Sequence, residues 1–200
     1  MNQEIEVKFL DVEFSDIRRQ LTELGGVCKQ PSQLMKRAVM DYPDKRLRDR
    51  KDVWSWIRIR DEGNRILITY KQVAKNDSRR TDEIEYEASS YDSAVKTFEA
   101  IGLKKWSEQE TRREAWECNG CEVMLDEWPW IPPLIEIEGP DISDVRDLSK
   151  LLNLSWANHE KGNADVVYRM HYPGMTKFET VGDIEYLGFD KLPRWLKDRQ

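Results

Sequence analysis

Several short stretches of the chain alternate charged and apolar residues, which is typical of β-strands that present one face to a core. In the first stretch, residues 4–9, the charged residues Glu4, Glu6 and Lys8 would share one face. Similar alternation recurs in residues 53–60, 65–71, 83–87, 110–117, 122–126 and 134–138. Taken alone, the charged face of the first stretch would simply be in water, as is common in antiparallel sheets.

Helical spacing of apolar residues separates these strands. It predicts helices over residues 14–24, 92–101 and 143–152, with Ser15 capping the first. Asn119-Gly120 is a strong hairpin signal, residues 35–42 are a candidate strand, and residues 164–168 read as a last short strand. Three Glu-x-Glu stretches at unequal spacings each precede a helix, which indicates a reused strand–helix unit and not a solenoid repeat.

The charged strand faces form an ordered pattern. The basic positions are Arg58, Arg60, Lys71 and Arg113, and the acidic ones are Glu4, Glu6, Glu85, Glu87, Asp126, Glu136 and Glu138. If the sheet closes into a barrel, the helices cover the apolar face outside and the charges line the inside. Enclosed charges must be paired, hydrated or ligand-bound. A polyanion together with divalent cations would satisfy both signs.

Composition narrows the class of protein. The 200 residues are 39% hydrophobic and 35% charged, with a net charge of -6, so nothing drives the chain as a whole toward nucleic acid or an anionic membrane. No apolar run approaches the roughly 18 residues of a membrane span. The N-terminus lacks the pattern of a signal peptide, and the cysteine count of three is odd, so we expect a cytoplasmic protein.

Glu4, Glu6 and Lys8 form a Glu-x-Glu-x-Lys motif that resembles the start of the CYTH, or triphosphate tunnel metalloenzyme, superfamily. Further elements follow in the family's order: residues 57–60, 67–71, the Arg113 strand, 125–127 and 135–139. The resemblance covers roughly residues 2–170. It implies an α+β fold with an eight-stranded antiparallel barrel, the tunnel, and helices outside it. We therefore expect a tunnel domain over residues 1–172 and a C-terminal extension over residues 173–200.

The resemblance also implies roles for individual residues. Phosphate-binding positions are Lys8, Arg58, Arg60, Lys71 and Arg113. Metal-binding positions for Mg²⁺ or Mn²⁺ are Glu4, Glu6, Asp126, Glu136 and Glu138, with Glu85 and Glu87 as additions. Catalytic roles would fall to Glu4, Glu6, Lys8 and Asp126. One departure is Thr111, where the family often has a Lys, so either Arg112 substitutes through a strand irregularity or the site has one cation fewer.

Three functions remain compatible with these residues. The first is hydrolysis of an inorganic, thiamine or nucleoside triphosphate, which we favour because it needs the fewest additional features. The second is a class IV adenylyl cyclase, which would make cyclic AMP from ATP with the same residues but must also hold base and ribose. The third is a non-catalytic domain that binds polyphosphate or nucleotide. The expected partner is a triphosphate-bearing small molecule, with neither nucleic acid nor membrane, and a homodimer is left open.

Overall fold

A computed structural model describes residues 5–74 and 77–200, so Glu4 lies outside the described residues. The strands described are β1 (Ile5–Leu10), β2 (Val27–Asp41), β3 (Val53–Asp61), β4 (Ile66–Ala74), β5 (Asp77–Ala88), β6 (Lys104–Cys118), β7 (Cys121–Glu127), β8 (Leu134–Gly139) and β9 (Tyr186–Leu187). The helices are α1 (Phe14–Glu23), α2 (Tyr91–Ala100), α3 (Ile142–Leu151), α4 (Ala164–His171) and α5 (Arg194–Lys197). Among the described residues, no helix has the length and apolar character needed to span a membrane.

The strands form one nine-stranded sheet in the order β1-β8-β7-β6-β2-β3-β4-β5, and β9 pairs with β6. Antiparallel pairing joins β1 to β8, β8 to β7, β7 to β6, β2 to β3, β3 to β4 and β4 to β5. The short β9 instead lies parallel to β6. The α+β class and the antiparallel sheet are therefore confirmed. The closed eight-stranded barrel is not, because within the described residues the order ends at β1 and β5 without a pairing between them.

The chain divides into two compact units. Of the described residues, the β1 unit contains 5–33 and 111–167, and the β3 unit contains 34–74, 77–110 and 168–200. The strands β2 and β6 and the helix α4 each contribute residues to both.

Each unit has its own hydrophobic core on the apolar face of its strands. In the β1 unit, α1 and α3 bury residues such as Leu21 and Leu148 against Val7 and Ile137 of the sheet. In the β3 unit, α2 packs against Ala38, Met40, Ile59 and Ile68. Apolar residues alternate with charged ones along these strands, so covering one face with helices leaves the other face to the charges.

Three local predictions need correction. Residues 164–168 are not a strand: they open α4, in which Val166 N–H donates to the carbonyl of Asn163 (3.1 Å). A short apolar run cannot by itself distinguish a strand from a buried helix. Ser15 does not cap α1, since Glu13 occupies the N-cap position. The strand expected at residues 35–42 is the end of the much longer β2.

The core of the β1 unit yields a stability prediction. We expect Ile137→Ala to lower the free energy of unfolding by about 2–5 kcal/mol, because Ile137 is fully buried in that core and its truncation leaves a cavity. Urea unfolding followed by circular dichroism measures the change. Ile142→Ala is the control, since Ile142 is 42% exposed and should cost under about 1 kcal/mol. Equal losses in both variants would contradict this packing.

Candidate functional site: the charged faces of the two units

The charged face of the β1 unit combines residues from β1, β8, β7 and β6. Directly opposed residues of an antiparallel pair point to the same side of a sheet. The register opposes Lys8 to Glu136, Glu138 to both Glu6 and Glu122, and Arg113 to Asp126. The face opposite the core therefore carries the charged residues Glu6, Lys8, Arg113, Glu117, Glu122, Asp126, Glu136 and Glu138.

Lys8 is held between two carboxylates. Its side chain is only 4% exposed, and its ammonium contacts both Glu6 and Glu136, the latter at 3.1 Å. Burial alone would lower the pKa of Lys8, but the attraction and hydrogen bonds of Glu136 and Glu6 outweigh it and hold that pKa above its ordinary value. Lys8 is therefore a permanent cation on this face.

Arg113 is the second cation of the face and shares Glu136 with Lys8. Its Nε donates to Asp126 Oδ1 at 2.6 Å and its Nη2 donates to Asp126 Oδ2 and to Glu136 Oε2, the last at 2.7 Å. The Asp126 side chain is 1% exposed. Burial opposes the charge of Arg113, yet the two carboxylates raise the pKa of the guanidinium well above its usual value. Glu136 thus joins Lys8, Arg113 and Asp126 into one network.

Arg112 does not belong to this face. The pairing of β6 with β7 runs without interruption from Arg112 opposite Glu127 to Cys118 opposite Cys121. Arg112 and Arg113 therefore point to opposite sides, and Arg112 forms a 3.4 Å ion pair with Glu127. The strand irregularity that would let Arg112 replace a cation at Thr111 is absent from this register, which corrects that expectation.

The β3 unit carries a second charged face, on β2, β3, β4 and β5. The register places on one side the cations Arg37, Arg58, Arg60 and Lys71 and the carboxylates Glu83, Glu85 and Glu87. Lys71 pairs with Glu83 at 2.7 Å, and Arg58 lies 3.8 Å from Glu85. Thr69 donates its hydroxyl to Glu85 (2.7 Å). The residues predicted from the sequence thus fall into two groups, one in each unit.

Arg37 is a candidate site residue that the sequence analysis missed. It lies directly opposite Arg60, and the two residues are only 8% and 9% exposed. Like charges directly opposite each other destabilise a sheet, so this arrangement favours anions beside them, of which Glu62 supplies one to Arg60. The available signal was the alternation of Arg37, Val39 and Asp41 with the apolar Ala38 and Met40.

Glu160 is a second missed residue. Its backbone exchanges two hydrogen bonds with Lys8, from Lys8 N–H to its carbonyl (2.9 Å) and from its own N–H to the Lys8 carbonyl (2.8 Å). This antiparallel bridge directs the half-buried Glu160 side chain to the same side as Lys8. No sequence pattern predicts this contact, because Glu160 lies in an irregular segment that is far along the chain from β1.

Glu62, the residue after β3, forms ion pairs with two arginines. Its side chain is 3% exposed and contacts both Arg60 and Arg65, the latter at 2.6 Å. Burial would raise the pKa of Glu62, but the two guanidiniums lower it below the usual 4.5. The ion pairs therefore favour the folded state while Glu62 is ionised.

We expect Glu62→Gln to lower the free energy of unfolding by about 1–3 kcal/mol near neutral pH, because the variant loses two charge-assisted hydrogen bonds. The folded-state pKa lies below the ordinary 4.5, so this contribution is present above that pH and is lost as the pH falls through the folded value. Urea unfolding between about pH 7 and about pH 3 should show the two proteins converging in acid. A difference that stays constant across the range would contradict the assignment.

The comparisons with known proteins agree with this architecture. A CYTH domain model matches residues 2–155. The PH1012 protein of Pyrococcus horikoshii OT3 is 22% identical with a TM-score of 0.65, over 82% of this chain and 98% of that one. A candidate adenylate cyclase of Vibrio parahaemolyticus is 14% identical with a TM-score of 0.70, over 83% of this chain and 97% of that one.

A candidate adenylyl cyclase of Hippeastrum, described as having a dominant triphosphatase activity, is 15% identical with a TM-score of 0.55, over 88% of this chain and 98% of that one. Comparison with curated protein sequences gives no significant match. Structural similarity at these identities establishes the fold, whereas the family model spans most of the sequence, including the Glu6 and Lys8 strand, Arg113 and Glu136. The chain belongs to the CYTH domain family.

Proposed function

We propose that this chain is a divalent-metal-dependent phosphoryl-transfer enzyme that hydrolyses a triphosphate. The observation that carries the proposal is the network in which Glu136 joins the buried Lys8 and the partly buried Arg113 on a face crowded with carboxylates. Membership of the CYTH family supports it, and so does the triphosphatase activity ascribed to the Hippeastrum relative.

The balance of charge on the β1-unit face favours cations as part of the ligand. Lys8 and Arg113 lie there among a larger number of carboxylates, from Glu6, Glu117, Glu122, Asp126, Glu136, Glu138 and Glu160. Such hard oxygen donors suit Mg²⁺ or Mn²⁺. Within the described residues no three His, Cys, Asp or Glu side chains are close enough together to hold a metal ion. Glu6, Glu136 and Asp126 instead contact Lys8 or Arg113.

The donor set therefore fits a divalent ion once these carboxylates exchange partners. We propose that Glu6, Glu136 and Glu138 hold the ion, with Glu4 and Asp126 as further ligands. A divalent ion bound there would polarise phosphate oxygens and lower the pKa of a bound water. Glu85 and Glu87 remain candidate ligands in the β3 unit, where they lie on its charged face.

The cations have the complementary task of binding phosphate oxygens. Arg113 presents a fork that already accommodates two oxygens of Asp126, and the same geometry suits two phosphate oxygens. Lys8 supplies a compact point charge. In the β3 unit we propose the same role for Arg37, Arg58, Arg60 and Lys71. Charge neutralisation and positioning are the main requirements of phosphoryl transfer.

An adenylyl cyclase is the second candidate, favoured by the names of the Vibrio and Hippeastrum relatives. The deciding experiment incubates the purified protein with tripolyphosphate, thiamine triphosphate and ATP, each with Mg²⁺ or Mn²⁺. We expect release of inorganic phosphate to dominate, and its relative rates identify the substrate. Cyclic AMP as the main product from ATP would overturn hydrolysis. Binding of tripolyphosphate without any turnover would indicate a non-catalytic domain.

The metal role of the first strand gives a direct test. We expect Glu6→Ala to lower metal-dependent turnover by about 100-fold or more, because it removes a charged ligand. The variant should still fold, since Glu136 continues to pair with Lys8, but its unfolding temperature should fall because one partner of a buried cation is lost. Mn²⁺ affinity, measured by electron paramagnetic resonance, should fall as well. Glu127→Ala is a matched control: its side chain is 39% exposed, against 42% for Glu6, but it lies on the opposite face. Unchanged Mn²⁺ affinity and turnover in Glu6→Ala would refute the assignment.

The proposed role of Arg37 can be separated from a general effect of charge. We expect Arg37→Gln to weaken tripolyphosphate binding about tenfold or more, since a charged hydrogen bond to the ligand is lost. Lys36→Gln removes the same charge from the neighbouring residue, which points to the other side of β2 and pairs with Glu108. Titration calorimetry should show near-normal affinity in Lys36→Gln. Equal weakening in the two variants would show that only net charge matters.

A further inference from the structure

The C-terminal segment, residues 173–200, lies beyond the region matched by the family model and is anchored to β6 within the β3 unit. Its strand β9 runs parallel to β6, and Glu108 N–H donates to the Glu185 carbonyl at 2.9 Å. Two buried side chains of β6 bind its backbone: Ser107 Oγ donates to the Ile184 carbonyl (2.6 Å), and Gln109 Nε2 donates to that of Val181 (3.3 Å). The C-terminal segment is therefore a packed part of the unit.

The turn of this segment at Val181–Asp183 approaches the charged face of the β3 unit at Val39. A Cβ added to Gly182 would stand 4.0 Å from Cγ1 of Val39. Val39 is directly opposite Arg58 in the β2–β3 register, so its side chain belongs to the charged face. The turn is consequently a neighbour of the cations proposed to bind phosphate.

Asp183, at the end of that turn, is bound by two cations of the loop between β2 and β3. One oxygen, Oδ1, accepts from Lys45 Nζ at 2.8 Å and from Arg48 Nη1 at 3.0 Å. The three side chains are between 22% and 31% exposed, so the contact is partly shielded from water. Burial would raise the pKa of Asp183, but hydrogen bonds and attraction from Lys45 and Arg48 keep it below the usual value.

The Lys45 ammonium and the backbone of the loop that carries both cations are held in place independently of Asp183. The ammonium of Lys45 also lies 4.4 Å from the ring centre of Trp106. The loop is fixed by Asp41, whose carboxylate accepts from the backbone N–H groups of Leu47 (3.0 Å) and Arg48 (3.1 Å). Two pre-positioned cations that converge on a single oxygen are the arrangement that binds an oxyanion.

We propose that Lys45 and Arg48 form a phosphate-binding subsite at the edge of the charged face, and that Asp183 occupies it in this structure as an internal ligand. A phosphate group of a triphosphate chain displaces the Asp183 carboxylate, because it carries more charge and offers more acceptor oxygens. The identity of this polyanion rests on the proposed function. The C-terminal segment then lowers the apparent affinity for triphosphate, since binding must first break the Asp183 contacts.

The test compares tripolyphosphate binding to the wild-type protein and to Asp183→Asn, by titration calorimetry without added metal. Asn keeps the shape of Asp but not its charge, so we expect tripolyphosphate to bind about three- to tenfold more tightly. Inorganic phosphate is titrated in parallel. Tightening only with tripolyphosphate identifies a phosphate of the chain as the ligand, and tightening with both identifies a subsite that also accepts free phosphate.

Two further variants exclude trivial explanations. Lys45→Gln/Arg48→Gln should weaken tripolyphosphate binding and should abolish the gain when combined with Asp183→Asn. Asp198→Asn removes the same charge from the same segment, where Asp198 forms a 3.6 Å pair with the exposed Arg194, and should leave the affinity unchanged. Hydrogen exchange at residues 180–187 should rise when tripolyphosphate binds the wild-type protein.

The outcomes separate this inference from the proposed function. If the wild-type protein binds tripolyphosphate but Asp183→Asn binds it equally or less tightly, Asp183 is only a structural contact and the subsite is refuted. The subsite is also refuted if Asp198→Asn tightens binding as much as Asp183→Asn does. If neither the wild-type protein nor any variant binds tripolyphosphate, either without metal or with Mg²⁺ added, the proposed function fails, and the subsite fails with it.

Discussion

The ion-pair network around Glu136 is the constraint on which the charged face of the β1 unit depends. Burying Lys8 and Arg113 costs several kcal/mol for each charge unless partners compensate, and Glu136, Glu6 and Asp126 supply those partners. The same groups are the proposed ligands of metal and phosphate. A divalent ion that binds Glu136 would deprive Lys8 and Arg113 of a shared carboxylate partner. A phosphate that binds these two cations would in turn free their carboxylate partners to bind the ion. Under the proposed function, metal and triphosphate should therefore stabilise each other's binding, and by equal amounts, because the coupling of two sites is reciprocal.

The network exists because strand alternation separates two kinds of surface. In β8, Ile135 and Ile137 are fully buried in the core, while Glu136 and Glu138 between and beside them point the other way. The helices α1 and α3 need apolar partners, so they cover only the isoleucine side. The β3 unit repeats the arrangement with Ile59 under α2 and Arg58 and Arg60 on the opposite side. One period-two pattern thus builds a core and a charged face in each unit.

This pattern explains why much of the site could be predicted from the sequence. The positions of Glu6, Lys8, Arg113 and Glu136 follow from alternation within single strands, which is a local property. Arg37 was missed because its importance depends on standing opposite Arg60, and that register is a property of two strands. Glu160 reaches Lys8 through backbone hydrogen bonds from an irregular segment. Asp183 was likewise not singled out, because its contacts are with Lys45 and Arg48, which lie far from it along the chain.

The expectation about Arg112 failed for a related reason. The sequence allowed a bulge that would bring Arg112 to the side of Arg113, but each pair from Arg112 to Cys118 is in register with β7. A bulge there would turn Glu114 and Trp116 out of line with Leu125 and Val123, which the core of the β1 unit opposes. Packing of the core therefore determines the side of β6 to which Arg112 points. Arg112 does not supply the cation that is missing at Thr111.

The pKa shifts finally limit what these residues can do chemically. Glu136 and its neighbours hold Lys8 and Arg113 more firmly protonated than usual, so neither can accept a proton at neutral pH. A general base must have a pKa near the working pH, and the pKa values of Lys8 and Arg113 are shifted further above it. Under the proposed function their contribution to phosphoryl transfer is to hold and neutralise phosphate oxygens, which needs permanent charge and fixed geometry. An ion-pair network that keeps the buried Lys8 and the partly buried Arg113 charged at every physiological pH meets that need directly.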